Sequence, residues 1–432
     1  MTRDKEIQLP PYTDFSVYNN GGDYFIINPS KNFWFRLSRE QIPAFELLDG
    51  KSTPDELRDR IDSSIPERLR DASKKLIEDI AMYYPVESRD IPKSNRVSTL
   101  YLVLTNACNS RCLYCFRERN NTISIIDKKL LKNVILSYKN IAVDTPSIVY
   151  TGGEPCLHPD LREIARFAHE NGIKNTLQTN GLLVNEDNAS LFARIFDKIQ
   201  ISFDSTQEEL NDWLRGKKGH FKAVSHAVEL FQRYDVKVKL AATITKKNFN
   251  DIFNIRKKFP GVDFQYTPML QIGRGKKVSD LSFSPIEFLK VIDNFSCEMD
   301  AFYPKFIPEF GKKNTLCGAG TSVLSVDPDG DVFPCQMLHH PDFRCGNIKN
   351  DSLESIYYSS QTIEKFRKFS VDMLDECREC DIRYVCGGGC IANGFWENNC
   401  VIKKDYYCEF NKEITLRKML NDFRKINLSG NN

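Results

Sequence analysis

Three cysteines, Cys108, Cys112 and Cys115, stand within eight residues in the run Thr-Asn-Ala-Cys-Asn-Ser-Arg-Cys-Leu-Tyr-Cys-Phe. Three residues separate the first pair and two the second. The next cysteine is Cys156, far down the chain. A four-iron, four-sulfur cluster has four corners, so three thiolates leave one iron with a position open for chemistry. The same run also suits half a zinc site or buried structural thiols. Tyr101-Leu-Val-Leu-Thr105, just upstream, is rich in β-branched and aromatic residues and reads as a buried strand. The cysteines then lie on the loop at the strand's carboxyl end, where barrel-type α/β enzymes place their chemistry.

Further motifs close further strands. Thr151-Gly-Gly-Glu-Pro155 follows the strand Ser147-Ile-Val-Tyr150. Its two glycines let backbone approach a ligand closely, and Glu154 is able to accept from an ammonium group. Gln178-Thr-Asn-Gly181 and Ser202-Phe-Asp204 close two more strands, and turn or capping roles serve them as well as ligand contacts do. Nine of the fourteen cysteines fall between Cys317 and Cys408. Cys317 is followed by Gly330 and Cys335, then by Cys377-x2-Cys380-x5-Cys386-x3-Cys390 and Cys408. Val326-Asp-Pro-Asp-Gly-Asp-Val-Phe-Pro-Cys335 reads as a β-hairpin that delivers its last cysteine. The C-x2-C pair alone would suit zinc. Cys156, Cys297 and Cys400 are isolated and read as small buried hydrophobes.

On these motifs the chain resembles the radical S-adenosylmethionine enzymes with a C-terminal SPASM extension. The resemblance implies a cluster on Cys108, Cys112 and Cys115 that chelates S-adenosylmethionine and cleaves it to a 5′-deoxyadenosyl radical. It implies cofactor contacts at Gly152, Gly153, Glu154, Asn180, Ser202 and Asp204, with Arg215 as a further candidate. It implies two auxiliary clusters, giving three 4Fe-4S clusters in all. Cys377, Cys380, Cys386 and Cys408 would hold the distal one, and Cys317, Cys335 and Cys390 the proximal one. The usual eighth cysteine is absent, because the place before Cys317 holds Glu309-Phe-Gly-Lys-Lys-Asn-Thr-Leu. Cys345 or Cys297 would substitute, or the proximal cluster keeps an open iron. Sulfatase maturases of this type carry an Asp just after the Pro-Cys of the hairpin, and here that place is Gln336. An amide does not accept a proton at neutral pH, which weighs against that activity.

These motifs need a scaffold. From residue 97 onward strands and helices alternate at βα spacing, matching the partial (β/α)6 TIM-type barrel of that family, an α/β class. Strands are expected at 175–179, 199–203, 236–244 and 262–269, with helices at 161–171 and 221–234. Residues 1–92 contain no cysteine. Asp23-Tyr-Phe-Ile-Ile-Asn28 and Asn32-Phe-Trp-Phe-Arg-Leu37 read as two strands, followed by capping boxes at Ser38/Gln41, Thr53/Glu56 and Ser64/Glu67. Gly50 is placed to end the first helix. Ile65, Leu69, Ala72, Leu76 and Ile80 give the third helix an apolar face. That pattern is winged-helix-like, a shape often used on DNA. Yet the segment has 13 Lys/Arg against 17 Asp/Glu, a net of −4, which opposes nucleic-acid binding. The run from Phe35 to Leu57 resembles the recognition element of ribosomal-peptide (RiPP) modification enzymes, which binds a precursor's leader as an added strand.

The domains expected are residues 1–92 (leader recognition), 93–290 (radical barrel) and 291–432 (SPASM region). The 432 residues carry a net charge of +2, and neither an apolar transmembrane run nor a signal-peptide core is evident. A cytoplasmic protein is expected, with its cysteines holding metal rather than disulfides. The partners implied are a precursor peptide and a reductant such as flavodoxin or ferredoxin, without nucleic acid or membrane. The favoured activity is hydrogen abstraction from a precursor peptide followed by crosslinking through a thioether or a carbon–carbon or carbon–oxygen bond. Formylglycine formation, peptide epimerisation and a non-catalytic iron–sulfur binding or electron-transfer role are the alternatives.

Overall fold

The computed structural model describes residues 8–20, 23–84, 87–91, 95–117, 123–234, 236–292, 311–314 and 317–429. The chain divides into two compact units. The first joins residues 1–92 with 303–317 and 370–432, and the second joins 93–302 with 318–369. The C-terminal region contributes residues to both units.

In the first unit, β1 (Ser16–Asn20), β2 (Asp23–Asn28) and β3 (Phe33–Leu37) form an antiparallel meander in the order β1-β2-β3. Three helices follow: α1 (Ile42–Phe45), α2 (Pro54–Ser64) and α3 (Glu67–Tyr83). Two of the expected caps form. Ser38 and Gln41 exchange their bonds, and Thr53 and Glu56 do the same with Pro54 at the first helical position. The third does not. Ser64 ends α2 and its hydroxyl donates back to the Arg60 carbonyl. Ile65, held extended before Pro66, breaks the chain, and α3 starts at Glu67 with no side-chain cap. The first helix also stops earlier than expected, at Phe45, and Gly50 makes a later left-handed turn.

The side chains of this sheet alternate between two cores. Ile26, Phe33, Phe35 and Leu37 pack with Phe45, Leu57, Ile61, Leu76, Ile77 and Ile80 of the helices. Phe25, Ile27 and Trp34 point the other way, onto Ile382, Val385 and Met419. Period-two alternation with both faces buried explains why these strands read as unbroken apolar runs. The strand β4 (Arg89–Asp90) pairs in parallel with a later strand of the same unit, Lys312–Lys313.

In the second unit six parallel strands lie side by side in chain order. They are β5 (Val97–Val103), β6 (Ala142–Thr151), β7 (Lys174–Thr179), β8 (Lys198–Ser202), β9 (Lys237–Ile244) and β10 (Asp263–Pro268). Between them run α4 (Lys128–Ile141), α5 (Leu161–Glu170), α6 (Glu186–Ile195), α7 (Glu208–Arg215), α8 (His220–Phe231) and α9 (Asn254–Lys258), with α10 (Pro285–Ile292) after β10. This is the expected α/β class with a parallel sheet, consistent with a partial barrel. With Lys312–Lys313 as β11, β12 (Val323–Val326) adds in parallel to the outer edge of β5. β13 (Asp331–Phe333) and β14 (Gly346–Asn347) extend it antiparallel. The β12–β13 hairpin is the one expected, with its left-handed turn at Gly330. Pairing with the open edge of β5 draws it into this unit. α11 (Leu353–Ser359) and α12 (Gln361–Lys368) complete the unit. α13 (Arg383–Cys386), α14 (Ile391–Asn398) and α15 (Cys408–Ser429) belong to the first. Among the described residues no helix is long and apolar enough to cross a membrane.

Candidate active site and cluster sites

The loop carrying Cys108, Cys112 and Cys115 leaves the carboxyl end of β5 and is tied to its neighbours by backbone. The Gly153 amide donates to the Thr105 carbonyl at 2.8 Å and the Glu154 amide to that of Ala107 at 2.8 Å. The amides of Arg111 and Leu113 donate to Arg215 and Leu214 at 3.1 and 3.0 Å, and that of Arg274 to Cys115 at 2.9 Å. A Cβ on Gly153 would collide with the Ala107 carbonyl, and one on Gly216 with that of Arg111. Both glycines are present because backbone passes against backbone there. The cysteine loop is thus held by β6, α7 and the segment after β10. Burial pushes the Cys112 thiol up, Arg215 pulls it down, and the Cys115 and Cys108 thiols add to the rise. Three thiols within electrostatic reach of one another, on a loop braced by glycine contacts, fit the thiolate set of a cluster.

Glu154 is buried, and its carboxylate faces inward. One oxygen accepts from the Thr179 hydroxyl at 2.7 Å and the Cys156 amide at 3.0 Å, the other from the Asn180 amide at 2.7 Å. Burial raises its pKa while these donors lower it. The side chain therefore fastens the Gly-Gly-Glu turn to the end of β7, and Gly152 and Gly153 are left to present backbone. Asn180 donates to Asn109 at 2.7 Å and stands 3.9 Å from the Cys108 sulfur, so it reaches the cysteine loop. Ser202, half-buried, ends β8.

Asp204 is engaged by protein groups at both carboxylate oxygens. It is 0% exposed, and its oxygens are occupied by protein. Oδ1 accepts from Arg215 Nη2 at 2.7 Å and the Thr243 amide at 2.8 Å. Oδ2 accepts from the Tyr114 hydroxyl and stands 2.7 Å from Arg215 Nε as an ion-pair contact without hydrogen-bond alignment. Tyr114 lies between Cys112 and Cys115. Its buried phenol is pushed well up, chiefly by burial, so it stays a donor. Burial works to lower the Arg215 pKa, but Asp204 and its other neighbours outweigh that and raise it, so the guanidinium stays charged. Asp204 is a positioning residue: it fixes Tyr114, and through it the cysteine loop, to β8 and α7. Tyr114 carried no signal of this role beyond its place in the motif.

The distal cysteine set converges within the first unit. Cys377, Cys380, Cys386 and Cys408 line one cleft of about 330 Å³, open solvent included, with Asp405, Gly388 and Gly389. Burial, and then the neighbouring thiols, push Cys377 up to about 12; burial first does the same for Cys386, up to about 12, and Cys408, up to about 11. Such thiols give up protons when metal binds. By donor type, four thiols lining one cleft suit an iron–sulfur cluster, although among the described residues no group of three or more is already drawn together to hold a metal ion. The run Gly387-Gly388-Gly389 has three successive positive φ angles, 70°, 82° and 72°, a turn that side chains would strain. Asp405, also missed in the sequence, accepts from the amides of Cys390 and Tyr407 and from Asn393 and Asn411.

Cys317 and Cys390 belong to the first unit and Cys335 to the second. The Cys345 thiol is turned inward and donates to the Phe343 carbonyl at 3.4 Å; burial pushes it up to about 12. Cys297 and part of the segment before Cys317 lie outside the described residues. Cys156 sits 3.6 Å from the Thr179 hydroxyl and beside the buried Glu154 carboxylate.

Residues 102–258 match the radical SAM superfamily, and residues 317–381 match an iron–sulfur cluster-binding domain, SPASM. The chain is therefore a radical S-adenosylmethionine enzyme with a second, iron–sulfur-binding region, and the non-catalytic reading gives way. It is 29% identical over 308 residues to the antilisterial bacteriocin subtilosin biosynthesis protein AlbA of Bacillus subtilis, covering 68% of this chain and 67% of AlbA. It is 25% identical over 354 residues to a cysteine-type anaerobic sulfatase-maturating enzyme of Clostridium perfringens, covering 73% and 95%. Its fold is similar to that of Streptococcus suis SuiB bound to its precursor peptide SuiA, with a TM-score of 0.59, 14% identity and coverage of 93% and 100%.

Proposed function

We propose that this enzyme holds a ribosomally made precursor peptide by its leader and abstracts a hydrogen atom from one of its residues, so that the substrate radical closes a thioether or a side-chain carbon–carbon or carbon–oxygen crosslink, the second hydrogen leaving as a proton and an electron that an auxiliary iron–sulfur cluster would accept. The observation that carries this reading is the three-stranded N-terminal sheet, in which, among the described residues, β1 is an outer strand and its Val17 is 53% exposed. An extended peptide adds to such an edge through main-chain hydrogen bonds, and side-chain pockets choose the partner. The similarities to AlbA and SuiB support a peptide as the substrate class.

Bound cluster and S-adenosylmethionine together supply the 5′-deoxyadenosyl radical. Cys108, Cys112 and Cys115 are the thiolates for that cluster, and Gly152, Gly153, Asn180 and Ser202 the groups that orient the cofactor. Tyr114, Asp204 and Arg215 keep the loop in place, so the reacting groups meet at a fixed geometry with water excluded. Cys377, Cys380, Cys386 and Cys408 are the distal auxiliary ligands, within a total of three clusters. A flavodoxin or ferredoxin delivers the reducing electron. The test is anaerobic reaction of the iron–sulfur-reconstituted protein with S-adenosylmethionine, reductant and the peptide encoded beside this gene. We expect 5′-deoxyadenosine and a peptide that has lost two hydrogens. No 5′-deoxyadenosine refutes the radical step. An epimerised peptide of unchanged mass refutes crosslinking, and modification of a leaderless serine or cysteine peptide refutes leader recognition in favour of sulfatase-maturase chemistry.

A further inference from the structure

We infer that the distal cysteine cleft is a working part of peptide recognition: loading its cluster and docking a peptide on the N-terminal sheet are linked equilibria. The inference rests on the peptide-binding reading above and adds a function for the distal site. It starts from the second buried face of the sheet. Phe25, Ile27 and Trp34 rest on Ile382 and Val385, which lie between Cys380 and Cys386, and on Met419 of α15, which begins at Cys408. Cys380 and Cys386 themselves pack against this core. Three of the four cleft cysteines thus belong to, or bound, the floor of the sheet.

That floor is weak by itself. α13 is four residues long, too short to persist without tertiary support. It is followed by the left-handed triple glycine, which favours the unfolded chain through its entropy. A cluster bonded to Cys380 and Cys386 clamps both ends of this segment. A polar tie joins it to the peptide edge: the Tyr18 hydroxyl of β1 donates to Asp381 at 2.5 Å, next to Cys380. A strand added at the sheet edge stabilises the sheet, and through this floor favours the clamped segment. Reciprocity then requires that a loaded cleft tighten peptide binding by the same factor.

Hydrogen–deuterium exchange on the full-length protein tests the link, with ferrous iron and sulfide as the only additions. Reconstitution is expected to raise amide protection across residues 16–37 at least tenfold. The gain should disappear in Cys408→Ala and persist in Cys112→Ala, which disables the radical cluster instead. Unreconstituted wild type serves as the comparison if Cys408→Ala fails to fold. No gain in wild type, or an equal gain in Cys408→Ala, overturns the inference. With a fluorescein-labelled peptide from the reading frame beside the gene, binding should be at least tenfold tighter to reconstituted protein, and equal affinity also overturns it. A peptide that binds neither form defeats the recognition reading while leaving the protection gain in place, so the two failures are distinguishable.

Discussion

Removing one oxygen atom, in Tyr114→Phe, isolates the grip of the barrel on its cysteine loop. The ring would stay packed against Leu214, Met269 and Leu281, and Asp204 would keep Arg215 and the Thr243 amide. What is lost is one buried hydrogen bond to a charged acceptor, worth about 1.5–3 kcal/mol. If it holds Cys112 and Cys115 in their cluster-binding arrangement, the ordered loop becomes about ten- to a hundred-and-fifty-fold less favoured. The assay is the rate at which a chelator strips iron from the reconstituted protein, alongside the yield of 5′-deoxyadenosine. Faster release from the radical site, with distal iron unaffected, is expected. Release and yield within twofold of wild type would refute the argument that Asp204 acts through Tyr114.

Gly153→Ala drives a methyl group into the Ala107 carbonyl and should weaken S-adenosylmethionine binding at least tenfold by equilibrium dialysis, with distal iron retained. Cys345→Ser should leave iron content per chain unchanged, since its thiol is already engaged, while Cys408→Ser should lose one cluster's iron. Asp204→Asn leaves the buried Arg215 without its counter-charge, a loss of about 3–5 kcal/mol, seen as a fall in melting temperature. Burial, chiefly, raises the Asp327 pKa to about 6 from 3.8. Its protonated form is thus favoured by folding, and its own contribution to stability is fully present below about pH 4 and is lost as pH rises through 6. In urea titrations of the apoprotein, Asp327→Asn should remove that decline, on the order of 1–2 kcal/mol after solvent screening.

The helix caps show how far local signals reach. Thr53 and Glu56 form their box because nothing competes. Ser64 has the same spacing to Glu67, yet Pro66 restricts Ile65 and the hydroxyl turns to Arg60. At the site, residue types marked strand ends, and the partners of those side chains come from other elements. Glu154 and Asp204 were both legible as strand-end carboxylates beside the cysteine loop. That both are buried and spend their oxygens on protein donors depends on Thr179, Asn180, Tyr114 and Arg215, which are distant in sequence.

Spacing alone determined the cysteine loop, the Gly-Gly-Glu turn, the alternation of strands and helices along the chain and the cysteine-bearing hairpin. Each is a local pattern, three or four residues of turn chemistry or a run of period-two or helical hydrophobicity. Tertiary structure decided which pieces share a core. The apolar runs of β2 and β3 marked strands, but not that Ile382, Val385 and Met419 cover a second buried face. Nor did they announce that the hairpin of Cys335 would join the barrel through β5. Hydrophobic burial has no direction along the chain, so a sequence shows which surfaces must be covered, and folding selects what covers them.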